Sequence, residues 1–171
     1  MVLSILNMLE GYDLAAMGWN SAQGLHLTIE SMRRAFADRA EFMGDTDFVF
    51  VPVAGLIDKR YAAARRATID PERASRSVDV RAGAASGPEP NDTTHFSIVD
   101  AQGNVVSNTY TLNDAFGSHV TVAGTGMLLN DEMDDFSAVP GQANQFGLVQ
   151  GANNEIGPHR RPLSSMAPTI V

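Results

Sequence analysis

Apolar positions recur with helical period over the first third of the chain and switch to alternation after residue 93. Residues 2–10 (VLSILNMLE) predict a short helix, with Gly11 placed as its C-terminal cap. Residues 21–43 form the clearest helix. Leu25, Ile29, Met32, Phe36, Ala40 and Met43 recur at spacings of three and four and predict one apolar face. Ser21 is placed as its N-cap and Gly44 at its C-terminal end. Phe48 to Val53 reads as a short extended segment. Residues 54–68 return to helix, favoured by AAARRA, and Asp70-Pro71 reads as N-cap and first position of one more turn.

Residues 78–92 (VDVRAGAASGPEPND) nearly lack large apolar side chains and read as a linker, the kind of segment where chain cleavage concentrates. A β pattern follows. Thr94, Phe96 and Ile98 alternate with His95, Ser97 and Val99. The stretch from Asp100 to Asn104 is a turn signal, and Val105 to Leu112 completes a hairpin. Residues 126–129 (GMLL) predict a short buried strand. Residues 130–162 are Gly-, Asn-, Pro- and Gln-rich and predict a long loop region, a length associated with function. Residues 167–171 read as part of another strand. No internal repeat is present.

Composition narrows the function classes. The 171 residues suit one domain and are 44% hydrophobic and 19% charged, enough for a packed core. A net charge of −8 argues against a nucleic-acid partner, which needs clustered Lys and Arg. With no cysteine, disulfides, thiolate metal sites and cysteine nucleophiles are excluded. No stretch reaches the length of a membrane span. The apolar N-terminus lacks a basic flank and a small-residue cleavage site, so it reads as a buried helix.

Four segments could carry chemistry. Asp92-Thr93-Thr94-His95 sits where linker meets strand; it is either an ordinary strand start or a nucleophile that uses its own α-amine as base once the bond before it is cut. Thr109, Thr111 and Asn113 fall on one face of the predicted strand, either solvated or lining a polar pocket. The acidic run from Asp131 to Asp135 lacks EF-hand spacing; it is either a solvated surface or, through Glu132 and Asp135, a seat for a substrate ammonium. Ser164 and Ser165 are loop hydroxyls able to donate to a carboxylate or an oxyanion. The histidines His26, His95, His119 and His159 lack metal-ligand spacing and read as structural.

Together these segments resemble the gamma-glutamyltransferases. The resemblance is carried by TTHFSIVD at 93–100, SNTYTLND at 107–114, GMLLNDEMDDFSAVPG at 126–141 and RRPLSSMAPTIV at 160–171, with ADRAEFMGDTDFV at 37–49 in the first half. It implies an α+β fold, the αββα sandwich of N-terminal-nucleophile hydrolases, incomplete at both ends of this chain. Residues 1–92 would be the C-terminal part of a large subunit ending in a linker. Residues 93–171 would be the N-terminal part of the small catalytic subunit.

The resemblance also implies roles. Thr93 would attack the carbonyl of Asp92, free itself as a new N-terminus, and then act as nucleophile, its amine (reference pKa roughly 7.7–8.0) serving as base. Thr111 would orient Thr93. Asn113, Glu132 and Asp135 would hold the α-amino and α-carboxylate ends of a γ-glutamyl group, and Ser164 and Ser165 its carboxylate. Residues 137–150 would form a lid with Phe146 as an aromatic gate. The implied donor is glutathione or another γ-glutamyl amide, and the acceptors are water, amino acids or peptides. No metal or organic cofactor is implied, and no nucleic-acid partner. The partners are the two subunits of one precursor, in a periplasmic or extracellular location. An arginine from earlier in the large subunit and a glycine-rich oxyanion segment beyond Val171 belong to the same implied site. The alternatives are an acylase of the same fold acting on glutaryl or cephalosporin side chains, and a catalytically inert fragment. Glu132 and Asp135 favour the γ-glutamyl reading, because a glutaryl group has no ammonium for them to meet.

Overall fold

A computed structural model describes residues 1–85 and 97–169. The chain divides into two compact units, Met1–Pro90 and Asn91–Val171.

The first unit is helical, with α1 at Val2–Leu9, α2 at Leu14–Met17, α3 at Ala22–Phe42, α4 at Val53–Leu56 and α5 at Lys59–Arg66. Local caps set the boundaries. The Ser21 hydroxyl accepts the Gly24 amide at 3.1 Å and starts α3. Asp58 accepts the amides of Arg60 and Tyr61 at 2.8 and 3.1 Å. That cap breaks the helix expected over 54–68 into α4 and α5. The anticipated glycine caps do not form. Helix α1 ends on Glu10 in right-handed helical backbone, and α3 ends on Met43 in extended backbone. Gly11 instead leaves room for the Arg66 guanidinium, which a Cβ there would strike. Phe48 to Val53 begins as a turn rather than an extended segment, because the Asp45 carbonyl accepts the amides of Phe48 and Val49, both at 2.9 Å. At Asp70 the side chain accepts the amides of Glu72 and Arg73 at 2.9 and 3.2 Å, a capping turn with no helix behind it.

The face of α3 that is buried is not the one expected. Leu25, Ile29 and Met32 are exposed, whereas Leu27, Glu30, Ser31, Arg34, Ala35, Asp38 and Arg39 are buried. Helix α1 packs on α3 and α5 through a small apolar cluster of Met8, Ala35 and Ala62, with Met1 and Ile5 against it. Charges tolerate this burial because they are paired. Glu30 bonds Arg33, Arg34 (2.7 Å) and the Ser75 hydroxyl (2.6 Å). Burial pushes its carboxyl up, but Ser75, Arg34 and Arg33 outweigh that and bring it down to about 2. Asp38 pairs with Arg65 at 3.0 Å and accepts the Gly83 amide at 2.9 Å. Burial holds the Asp38 carboxyl above its usual range. Burial and then the Asp38 charge push the Tyr61 hydroxyl up to about 12. The stretch from Ser75 to Gly83, part of the expected linker, is therefore bonded to α3 and includes a turn of 3-10 helix at Ser77–Asp79.

The second unit opens with a hairpin. Strand β1 (Ser97–Val99) pairs antiparallel with β2 (Val105–Ser107), Ile98 opposite Val106. Asp100 organises the turn, accepting the amides of Gln102 and Asn104 at 2.9 and 2.8 Å, and Gly103 takes the left-handed backbone (φ 84°) that the turn requires. The expected strand positions 94–96 lie outside the described residues. Strand β2 stops at Ser107, well short of Leu112. Residues 126–129 are not a buried strand: Met127 and Leu129 are exposed, and this stretch forms one arm of a tight turn bridged at Thr121 and Leu128. Residues 167–169 carry no strand. Residues 130–162 are loop, as expected, with 3-10 turns at Glu132–Asp135 and Ala152–Asn154.

Candidate functional site

Three of the sequence-predicted residues meet around Asp131. Because β2 ends early, Thr111 and Asn113 are joined by a turn and not by strand alternation. The Thr111 hydroxyl accepts the Asn113 amide at 3.0 Å, and Asn113 has left-handed backbone (φ 75°), which asparagine tolerates. That turn docks on the acidic run. Asn113 Nδ2 donates to the Asp131 carbonyl at 3.3 Å, the Asp131 amide donates to the Leu112 carbonyl at 3.1 Å, and Asp131 Oδ1 accepts the Asp114 amide at 3.0 Å. Glu132 follows directly, its amide capped by Asn130 Oδ1 at 3.2 Å.

Asp135 closes the 3-10 turn that begins at Glu132 and is 6% exposed. The two carboxylates face each other electrically. Burial first, and then the Asp135 charge, hold the Glu132 carboxyl above its ordinary range. A raised carboxyl beside a second one is a pattern typical of functional sites, because an incoming cation relieves it.

The serine pair hangs from a buried anchor. Leu163 is buried, and its amide donates to Asn154 Oδ1 at 3.1 Å. Ser164 and Ser165 are exposed just beyond it, with Ser164 Oγ accepting the Met166 amide at 3.1 Å. Asn154 also donates to the Asp135 carbonyl at 2.7 Å.

The expected lid is an ordered loop. Asn144 Oδ1 accepts the amides of Phe146 and Leu148 at 3.1 and 3.0 Å, and Ala143 bridges Val149. The loop is latched to the acidic turn. Asn144 Nδ2 reaches the Asp134 carbonyl at 3.1 Å, the Gln145 amide reaches Asp134 Oδ2 at 3.2 Å, and Gln145 Nε2 reaches Asp131 Oδ2 at 3.0 Å. Phe146 is half exposed at the loop tip. The loop itself, with Asp134 and Phe136, lines a cavity of about 160 Å³, to which Ser137, Asn144, Gln145 and Leu148 contribute.

Asp92 and Thr93 lie outside the described residues. Among the described residues, no group of three or more His, Asp or Glu side chains is arranged to hold a metal ion, and no helix is long and apolar enough to cross a membrane. His26 Nε2 contacts the Asp70 carbonyl at 2.8 Å, a structural contact. Sequence reasoning placed Asp131 in the acidic run without a role of its own, and gave none to Asn144, Gln145, Gln150 or Asn154. Asn144 and Asn154 sit in a loop rich in turn-forming residues, and that composition is the only local signal they carry.

Comparison with known proteins completes the picture. A cephalosporin acylase structure from Bacillus halodurans superposes on 94% of this chain with a TM-score of 0.67 at 27% identity, the match covering 26% of that acylase. The mixed helix-and-sheet fold is that of the N-terminal-nucleophile hydrolases. The family model for gamma-glutamyltranspeptidase matches residues 1–171, and the chain belongs to that family. A glutathione hydrolase proenzyme from Pseudomonas sp. (strain A14) is 55% identical over 170 residues, covering 99% of this chain. An acylase ACY 1 proenzyme from Pseudomonas sp. (strain SE83) is 44% identical over 169 residues, again covering 99% of this chain. The chain spans 29% of the first relative's length and 28% of the second's.

Proposed function

We propose that this chain is the part of a γ-glutamyl-transferring enzyme that carries its self-cleavage site and most of its donor site. Residues 1–92 belong to the large subunit and 93–171 to the small one. Thr93 Oγ attacks the Asp92 carbonyl and displaces the Thr93 nitrogen, giving an ester. Water hydrolyses the ester and leaves an Asp92 carboxylate and a free Thr93 amine. That amine then takes the hydroxyl proton as Oγ attacks a γ-glutamyl amide such as glutathione, and the leaving amine receives a proton. Water, an amino acid or a peptide accepts the glutamyl group from the acyl-enzyme. Thr111 orients Thr93. Glu132 and Asp135 meet the donor ammonium, while Asn113, Ser164 and Ser165 meet its carboxylate. The lid at 137–150, with Phe146, covers the donor. The enzyme works in the periplasm or outside the cell, without a cofactor and without a nucleic-acid partner.

The observation that supports this reading is that Asn113 docks on Asp131 at the start of the 3-10 turn that carries Glu132 and the buried Asp135, which puts an amide donor beside two carboxylates, the Glu132 carboxyl raised by burial and by the Asp135 charge. An acylase is the second reading, favoured by the acylases among the relatives.

Incubation of a precursor of the relatives' length at neutral pH, followed by intact mass and N-terminal sequencing, tests the first step. A new chain starting at Thr93 is expected, together with release of nitroaniline from a γ-glutamyl nitroanilide and little from a glutaryl nitroanilide. Thr93→Ala is expected to stay a single chain. Cleavage in that variant, or preference for the glutaryl donor, overturns the reading.

A further inference from the structure

Asn154 is 2% exposed, and it joins two segments to which the proposed function assigns the two charged groups on the donor's α-carbon. Its Nδ2 donates to the Asp135 carbonyl at 2.7 Å and to Gln150 Oε1 at 2.8 Å. Its Oδ1 accepts the Leu163 amide at 3.1 Å, one residue before Ser164. Its own carbonyl accepts the Ser137 amide at 2.8 Å, two residues after Asp135. Gln150 Nε2 adds a second donor to the Asp135 carbonyl at 3.1 Å. A side chain that could satisfy neither group would leave the buried Leu163 amide without this acceptor and the Asp135 carbonyl with Gln150 Nε2 in place of two donors.

We infer that Asn154 is a positioning residue that sets the spacing between the ammonium-binding turn ending at Asp135 and the carboxylate-binding serines after Leu163. The inference rests on the donor-site reading above. The ammonium and the carboxylate of a γ-glutamyl group share one α-carbon at a fixed separation, so the clamp sets whether both are met at once. The two halves of the Asn154 amide serve different ends. Nδ2 holds the Asp135 side and Oδ1 holds the serine side, so substitutions that remove one half or both have separable consequences.

The test uses a precursor of the relatives' length and two donors, a γ-glutamyl anilide and a glutaryl anilide. The glutaryl donor keeps the carboxylate and lacks the ammonium. Asn154→Asp keeps the acceptor for Leu163 and loses the donors. It is expected to raise KM for the γ-glutamyl donor roughly ten- to a hundredfold, the scale of a misplaced positioning group, with little change for the glutaryl donor. Asn154→Ala loses both halves and is expected to raise KM for both donors. KM values within twofold of wild type in both variants overturn the inference. So does an equal rise for both donors in Asn154→Asp, which marks general loosening.

If either variant fails to mature, Gln150→Met, which leaves the Leu163 amide on Asn154 Oδ1 and removes both the second donor to Asp135 and the acceptor for Asn154 Nδ2, decides. Reduced preference for γ-glutamyl over glutaryl supports the clamp, and unchanged preference overturns it. Asp135→Asn is the control for the site itself. If that variant keeps full preference for γ-glutamyl, the donor-site reading fails, whatever Asn154 does.

Discussion

The Asp38 carboxylate accepts the Gly83 amide at 2.9 Å across 45 residues of sequence, while the same oxygen pairs with Arg65 at 3.0 Å. One buried carboxylate thus fastens a Gly- and Ala-rich segment to the longest helix of the chain. Gly83 is fitted to this place. A Cβ there would lie 2.9 Å from Arg65 Cδ and run into the Tyr61 hydroxyl.

Gly83→Ala is therefore expected to destabilise the helical unit by about 1–3 kcal/mol, the usual effect of overpacking. A urea melt of the variant beside wild type measures it. An unchanged midpoint would mean that Tyr61 and Arg65 move aside freely.

Glu30 ties acid stability to the same helix. Its carboxyl is depressed in the fold from an ordinary 4.5 to about 2. The sign follows from linkage: its contribution is fully present above about pH 4.5 and is lost as pH falls toward 2. Urea midpoints should drop through that window in wild type. Glu30→Gln should flatten the drop and lower neutral stability by about 3–5 kcal/mol, because Arg34 is left buried without its counter-charge.

Glu132 is shifted the other way, upward, by burial and by Asp135. Its ionised form is the one that attracts an ammonium. As pH falls, Glu132 takes up its proton earlier than an ordinary glutamate. KM for a γ-glutamyl donor should then rise on the acid side, with a midpoint above 4.5. Glu132→Gln should remove that acid limb while raising KM at neutral pH. An acid limb that persists in the variant assigns the titration to another group.

The Gln145–Asp131 hydrogen bond, 3.0 Å long, is one latch of the loop that lines the cavity. Gln145→Ala loses a contact of about 0.5–1.5 kcal/mol. Hydrogen exchange at Leu148, whose amide depends on the Asn144 turn, should quicken severalfold. Unaltered exchange would show that the two Asp134 contacts hold the loop unaided.

Much of the local structure was legible in the sequence, because it is made by residues close together in the chain. Ser21 starts α3 by bonding an amide three residues on, and Asp100 closes its hairpin within four residues. The segments of the proposed donor site were legible as segments, since 107–114, 126–141 and 160–171 each hold recognisable residues in order. Their meeting was not legible. The alternation that put Thr111 and Asn113 on one strand face presumed that β2 continued, and the turn at Asn113 replaced that geometry with another that still keeps the pair together.

The sequence by itself determined where helices begin, where the hairpin turns and which loop carries the acidic residues, because caps and turns are bonds between near neighbours. Only the tertiary structure decided which face of α3 is buried and what joins Asp135 to Leu163. Apolar periodicity pointed to Leu25, Ile29 and Met32, yet the charged face of Glu30, Arg34 and Asp38 lies inside, because Arg65 and Ser75 arrive from elsewhere to pair with it. Asn154 reaches Asp135 across 19 residues of irregular loop and Leu163 across nine. No periodicity records such a contact; it exists only once the chain has folded and two buried backbone groups need a partner.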